Sequence, residues 1–199
     1  MSANRWKLPT SLRVGQKERP IRSDFATCLE CMIALQDPEL DEIDRADVCC
    51  RLIYGDEQAE ELYAEGLTDV AILQAFAFLG RSNGPEAERE DAPDLPTLVH
   101  WETDAPLIFD AINKGRQTDI RETDLHWWTF LGLYMEIGQS LFATVLSLRQ
   151  KLARGVKLDK EERRFVNENP QFFPESGGLS KEDEEEILAM LGRSVKENQ

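Results

Sequence analysis

Four cysteines, Cys28, Cys31, Cys49 and Cys50, all fall in the stretch CLECMIALQDPELDEIDRADVCC, one pair at C-x-x-C spacing and the other adjacent. Three chemistries could use them. A structural zinc centre needs four ligands converging as a tetrahedron, commonly two C-x₂₋₄-C knuckles carried on turns. Cys28 and Cys31 sit at i, i+3 of a segment that reads as helix, which a metal can accept. Cys49 and Cys50, however, lie about 100° apart around their helix and point to different faces. A thioredoxin-like pair needs C-x-x-C at a helix start after a strand, where the dipole lowers a thiol pKa. Here Cys28 is already inside the helix and no βαβ pattern surrounds it. The third reading is packing: cysteine behaves as a small hydrophobe, and a Phe25, Cys28, Leu29, Met32 face can meet a Cys49, Leu52, Ile53 stripe. The residue pattern favours cysteines as core over zinc or redox chemistry.

His100 and His126 are the remaining candidates, as bases for a nucleophile or partners of an acid. The sequence has no G-x-S-x-G, phosphate loop, H-E-x-x-H or G-x-G-x-x-G to support them. His126, beside Trp127 and Trp128, reads as a helix-start residue over an aromatic cluster. The expectation is therefore a protein that acts by binding, with no catalytic residues, cofactor or metal.

The charge balance bounds the partner. Asp and Glu number 38 against 23 Lys and Arg, a formal net charge of −15 in 199 residues, so nucleic-acid phosphates and anionic membranes are repelled. The imbalance is local. Residues 1–22 hold six Lys/Arg and only Glu18, whereas residues 37–70 hold twelve Asp/Glu against Arg45 and Arg51. No stretch approaches the roughly 20 apolar residues of a membrane span, and MSANRWKLPTSL lacks the apolar core of a secretory signal, so a cytoplasmic place is expected.

These residues must be held by a mainly α-helical single domain over residues 1–175, with a small N-terminal hairpin at about 8–22 and a hinged C-terminal helix in 176–199. The hairpin turns at Val14-Gly15-Gln16-Lys17, where a Gly-X pair suits a type II′ turn, and Pro20 keeps its second strand at an edge. Ser23 or Asp24 caps a helix that stops before Pro38, and DEIDRADVCCRLIYG forms the next, ending at Gly55. A short apolar helix follows from a Thr68 cap to Gly80, then a mobile loop over residues 81–97 with Gly84, Pro85, Pro93 and Pro96.

Further helices are expected from a Thr103 or Asp104 cap, from a Thr123 cap into DLHWWTFLGLYMEIG, and through SLFATVLSLRQKLARG with Leu141, Val145 and Leu148 in register. KLDKEERRFVNENPQFF reads as a short basic helix. The Thr123 helix is apolar on most sides and belongs at the centre of a bundle, with Trp127, Trp128, Phe130, Leu131 and Tyr134 as core. Beyond Gly177-Gly178, Ser180 and Asp183 form a capping box before Ile187, Leu188 and Leu191. That amphipathic pattern docks on the chain's own core or, failing that, on another subunit or partner, which makes Ile187, Leu188 and Leu191 the partner-binding candidates.

DAPLIFDAIN (104–113), DLHWWTFLGLYMEIG (124–138), LSLRQKL (146–152) and KLDKEERR (157–164), with LPTSLRVGQKERPIRSDF (8–25), together resemble the bacteriophage gp-fifteen family of siphophage and prophage tail-gene clusters. The likeness spans most of residues 8–165. This chain departs from the family at NKGRQTDI, where an aromatic and Asp-hydrophobic stretch is usual, and its tail after Gly178 has no clear counterpart. The family supplies no catalytic residues to transfer. The resemblance implies a tail assembly chaperone that binds the tape-measure protein, with self-association a further expectation and the host cytoplasm its place during assembly. The competing implication is a structural subunit of the tail or head-to-tail joint, kept in the virion, whose basic arm Arg5 to Arg22 docks on an acidic neighbour. A Cys-based metal or thiol protein is the third.

Overall fold

A computed structural model describes residues 7–80 and 98–173 of the chain. Among these it is mainly α, with eight α-helices, two short 3₁₀ turns and one antiparallel hairpin. The helix expected over 180–191, its residues Ile187, Leu188 and Leu191, and the loop expected at 81–97 lie outside the described residues. By its internal contacts the chain divides into two compact units, Met1–Leu146 and Ser147–Gln199.

The first unit opens with strands β1 (Ser11–Val14) and β2 (Lys17–Pro20), paired from Ser11↔Pro20 to Val14↔Lys17. Gly15 has φ +60°, the left-handed conformation that a Gly-X hairpin turn demands, and an added Cβ there would sit 3.3 Å from a Leu67 methyl. Helix α1 (Phe25–Ala34) starts at Asp24, whose carboxylate accepts the Thr27 N–H at 2.9 Å. Helix α2 (Glu42–Tyr54) starts at Asp41 in the same way, with Asp44 N–H as donor.

Gly55, with φ +81° and ψ 155°, ends α2, but it is a joint rather than a stop. Helix α3 (Asp56–Ala64) begins at the next residue and has no counterpart in the sequence-based expectation. Only a residue without Cβ adopts that conformation cheaply, and the Arg22 guanidinium fills the space above it. Helix α4 (Thr68–Leu79) is capped by Leu67 without a side-chain bond, so Thr68 is its first residue rather than its cap.

Two other expected starts are corrected. Helix α5 (Trp101–Asn113) begins before Thr103 and Asp104, which places Pro106 inside it. The cause is tertiary: the Gln36 amide donates to Val99 O at 2.8 Å and accepts the Trp101 N–H at 3.0 Å, clamping the helix entry to the end of α1. Asp104, fully buried, folds back onto the His100 N–H at 2.9 Å. Helix α6 (Trp127–Met135) begins after the expected Thr123 cap. Thr123 instead closes a 3₁₀ turn over Ile120–Glu122, its hydroxyl donating to Ile120 O at 2.6 Å. His126 is held extended against the entry to α1, opposite Asp24, through Phe25 N–H to Leu125 O at 2.8 Å and Trp127 N–H to Ser23 O at 2.7 Å. Backbone pairing between distant segments moves the start of α6 from Thr123 to His126, the residue read from the sequence as a helix start, whose ring accepts the Trp128 N–H.

Helix α7 (Leu141–Ala153) carries the unit boundary. Its buried positions are Phe142, Val145, Leu148 and Arg149, while Leu141 is exposed, so the inward stripe lies one residue on from the expected one at its start. In the second unit, α8 (Lys160–Glu168) has a full capping box between Asp159 and Glu162. Its charges balance, with Lys160, Arg163 and Arg164 against Glu161, Glu162 and Glu168, so it is not the basic helix expected. Leu158, Val166 and Phe173 are buried in this unit, and Arg149, the arginine of the LSLRQKL motif, donates to Phe172 O at 2.8 Å.

Candidate functional site

All four cysteines are free thiols with no exposed surface. Helix α2 packs against α1 on one side and α4 on another, which explains how adjacent Cys49 and Cys50 are both buried. The Cys49 thiol lies 3.6 Å from Cys31 O, and four residues after Cys50 the Tyr54 hydroxyl donates to Ala71 O at 3.0 Å. Burial pushes the Cys28 and Cys50 thiols up. The contact between the Cys31 and Cys49 thiols, then burial, pushes the Cys31 thiol up; the same contact lowers Cys49, and burial opposes that shift. Thiols so placed fill α1, α2 and α4 contacts and offer no nucleophile to solvent. Among the described residues no group of three or more His, Cys, Asp or Glu converges as metal ligands would.

The His126-Trp127-Trp128 motif is likewise committed to structure. His126 Nδ1 accepts the Trp128 N–H at 3.0 Å, which leaves Nε2–H to donate to Pro9 O at 2.8 Å and ties the N-terminal arm to the start of α6. The two indoles reach the end of α4: Trp127 donates to Leu79 O and Trp128 to Phe78 O, each at 2.9 Å. The last carbonyls of a helix have no partner within it, so two adjacent tryptophans close that terminus. Of the expected core residues, Trp127 and Phe130 are buried, while Trp128, Leu131 and Tyr134 are half-buried against the core and are not central to it. Phe130 stacks between Phe25 and Trp127, with ring centroids 5.2 and 5.4 Å away.

The basic arm is partly spent inside the molecule. Arg19, 6% exposed, forks onto Glu61 at 2.7 Å and Glu65 at 2.8 Å, and Lys17 reaches Glu65 at 2.6 Å. These bonds pin the hairpin to α3. The Lys17 and Arg19 hydrogen bonds hold the Glu65 carboxyl below the usual carboxylate range. A carboxylate with a lowered folded pKa contributes stability that is complete above its unfolded pKa and is lost as pH falls through the folded one. Glu65→Gln is therefore expected to lower the melting temperature at neutral pH, with the gap to wild type closing during an acid titration; a gap that stays constant into acid would contradict the assignment.

Sequence reasoning identified α4 as apolar but gave it no outward face. Ala71, Ala75, Phe78 and Leu79 face the core, and Val70, Leu73 and Phe76, which share the opposite side with Asp69, are 40%, 46% and 37% exposed. The signal was present in the sequence, because a helix apolar all round is covered on every side. No helix among the described residues is long and apolar enough to cross a membrane.

A family model described as Bacteriophage Gp15 protein matches residues 6–171. No curated protein and no solved structure matches the chain.

Proposed function

Because this chain belongs to the Bacteriophage Gp15 family, and so is a phage structural or morphogenesis protein, we propose that it is a non-enzymatic tail assembly chaperone that binds the tape-measure protein. A tape measure is a very long helical chain with apolar stripes that must stay soluble until the tube closes around it. An acidic helical protein covers such stripes by helix-in-groove contact and keeps the complex dispersed by its charge. The observation that carries the reading is the fate of the reactive residues. The thiols and the His126 ring are consumed in packing and capping, while a helix face of Val70, Leu73 and Phe76, with Asp69 beside it, stays exposed. Lys17 and Arg19, which a virion subunit would use to dock on an acidic neighbour, are paired within the molecule.

The test is co-expression with the tape-measure protein of the same gene cluster, followed by pull-down and mass spectrometry of purified particles. A soluble complex, with this protein absent from virions, is the expected result. A virion component without affinity for the tape measure is a structural subunit, and the chaperone reading falls.

A further inference from the structure

We infer that the outward face of α4, built on Val70, Leu73 and Phe76, docks an amphipathic helix whose apolar stripe is flanked by Lys or Arg. The three residues stand at i, i+3 and i+6 on the side of α4 turned away from Ala71, Ala75 and Phe78. That is one i±3n ridge, a row of side chains that packs into the groove of a second helix.

Charge selects the partner. Helices α2 and α3 and strand β1, which brings one exposed cation, Arg13, pack directly on α4, and residues 7–80 as a whole hold fifteen Asp/Glu against seven Lys/Arg, a surplus of eight negative charges. Of those cations, Lys17, Arg19 and Arg51 are already engaged by carboxylates of α2, α3 and the Glu65 turn. Helix α4 has Asp69 as its only charge, at one end of the stripe. An acidic helix, or the like-charged face of a second copy, would approach against this field, whereas a basic one is drawn in. The stretch that follows Gly80, RSNGPEAEREDAPDLPT, has Leu95 as its only large apolar residue and cannot supply the missing stripe.

The inference rests on the proposed function only in that the protein works by binding a helical partner. Its probe is a synthetic helical peptide of about 18 residues with leucine on one face and lysine on the other, titrated into the full chain by calorimetry; a glutamate-for-lysine peptide serves as control. Wild type is expected to bind the lysine peptide with an affinity that weakens as salt rises, and to ignore the glutamate peptide. Leu73→Lys and the milder Phe76→Ser should each lower that affinity about tenfold or more. Ile43→Ser, at an apolar residue of α2 that is 79% exposed, should leave it unchanged. Circular dichroism of each variant checks the fold, and Leu73→Ser replaces any variant that melts.

Equal binding by the variants, or equal binding of both peptides, overturns the inference. So does a dimer in sedimentation equilibrium that Leu73→Lys dissolves, which would assign the face to a second copy. Peptide binding that appears only after deletion of 178–199 would assign it to the chain's own tail and overturns it too. Tape-measure capture that survives Leu73→Lys sinks this inference and leaves the function standing; absence of capture with peptide binding intact does the reverse.

Discussion

Replacing Trp127 by alanine is expected to cost about 3–5 kcal/mol of stability, the range for deleting a buried large aromatic. Trp127 is 1% exposed, stacks on Phe130 at 5.4 Å and tilts against Trp101 at 6.4 Å, so its removal opens a cavity between α5 and α6. It also removes the donor at Leu79 O. Trp127→Phe separates the two losses: the ring keeps most of the apolar contact, while the α4 carbonyl loses its partner, a cost of about 1–3 kcal/mol if the carbonyl stays dry. Trp128→Ala is the internal control. That side chain is only half-buried and makes the equivalent bond to Phe78 O, so its loss should be smaller than that of Trp127→Ala. Urea unfolding of the three variants checks the order. A Trp128 cost equal to or above that of Trp127 would mean that the roles of the two indoles are reversed.

The difference between these neighbours marks what the sequence could and could not say. Elements whose limits are local chemistry were legible: Asp24 and Asp41 accept N–H groups in their own first turns, Gly15 makes its own hairpin turn, and Gly55 ends α2 by its own dihedral angles. Elements whose limits depend on distant partners were not. Nothing near Trp101 announces that Gln36 will hold the entry of α5, and nothing near Thr123 shows that Ser23 and Phe25 will pair with Trp127 and Leu125 and hold His126 extended between them. Helix α3 was invisible for another reason. DEQAEELYA has only Ala59, Leu62 and Tyr63 to suggest an inward side, and its place is secured by bonds from Arg19 to Glu61 and from Tyr63 to Asp47.

The same division governs the candidate sites. That the cysteines could be core was readable from the faces they share with Phe25, Leu29 and Ile53. That both Cys49 and Cys50 are buried required knowing that α2 is flanked by α1 and α4. The α4 stripe was written in the sequence but is recognisable as a surface only once Ala71, Ala75 and Phe78 are seen to face the other way.

Phe130→Ala should match Trp127→Ala, at about 3–5 kcal/mol, and its origin differs. Phe130 has no exposed surface and lies where three helices meet: its ring stacks on Phe25 of α1 at 5.2 Å and on Trp127 within α6, and meets Phe109 of α5 edge-on at 6.5 Å. Such pairs contribute about 0.5–1.5 kcal/mol beyond the area they bury. Phe130→Leu, which keeps much of the volume, should therefore still lose the aromatic share. A double-mutant cycle with Phe25→Leu should show a coupling of that size, because the two rings touch. Coupling indistinguishable from zero would mean that the stack contributes only volume. Since Phe130 lies on the inner side of the molecule from the α4 stripe's exposed residues, Phe130→Leu, if folded, should bind the lysine peptide as wild type does. A stability loss without a binding loss is the pattern that separates the residues that build this protein from the face it presents.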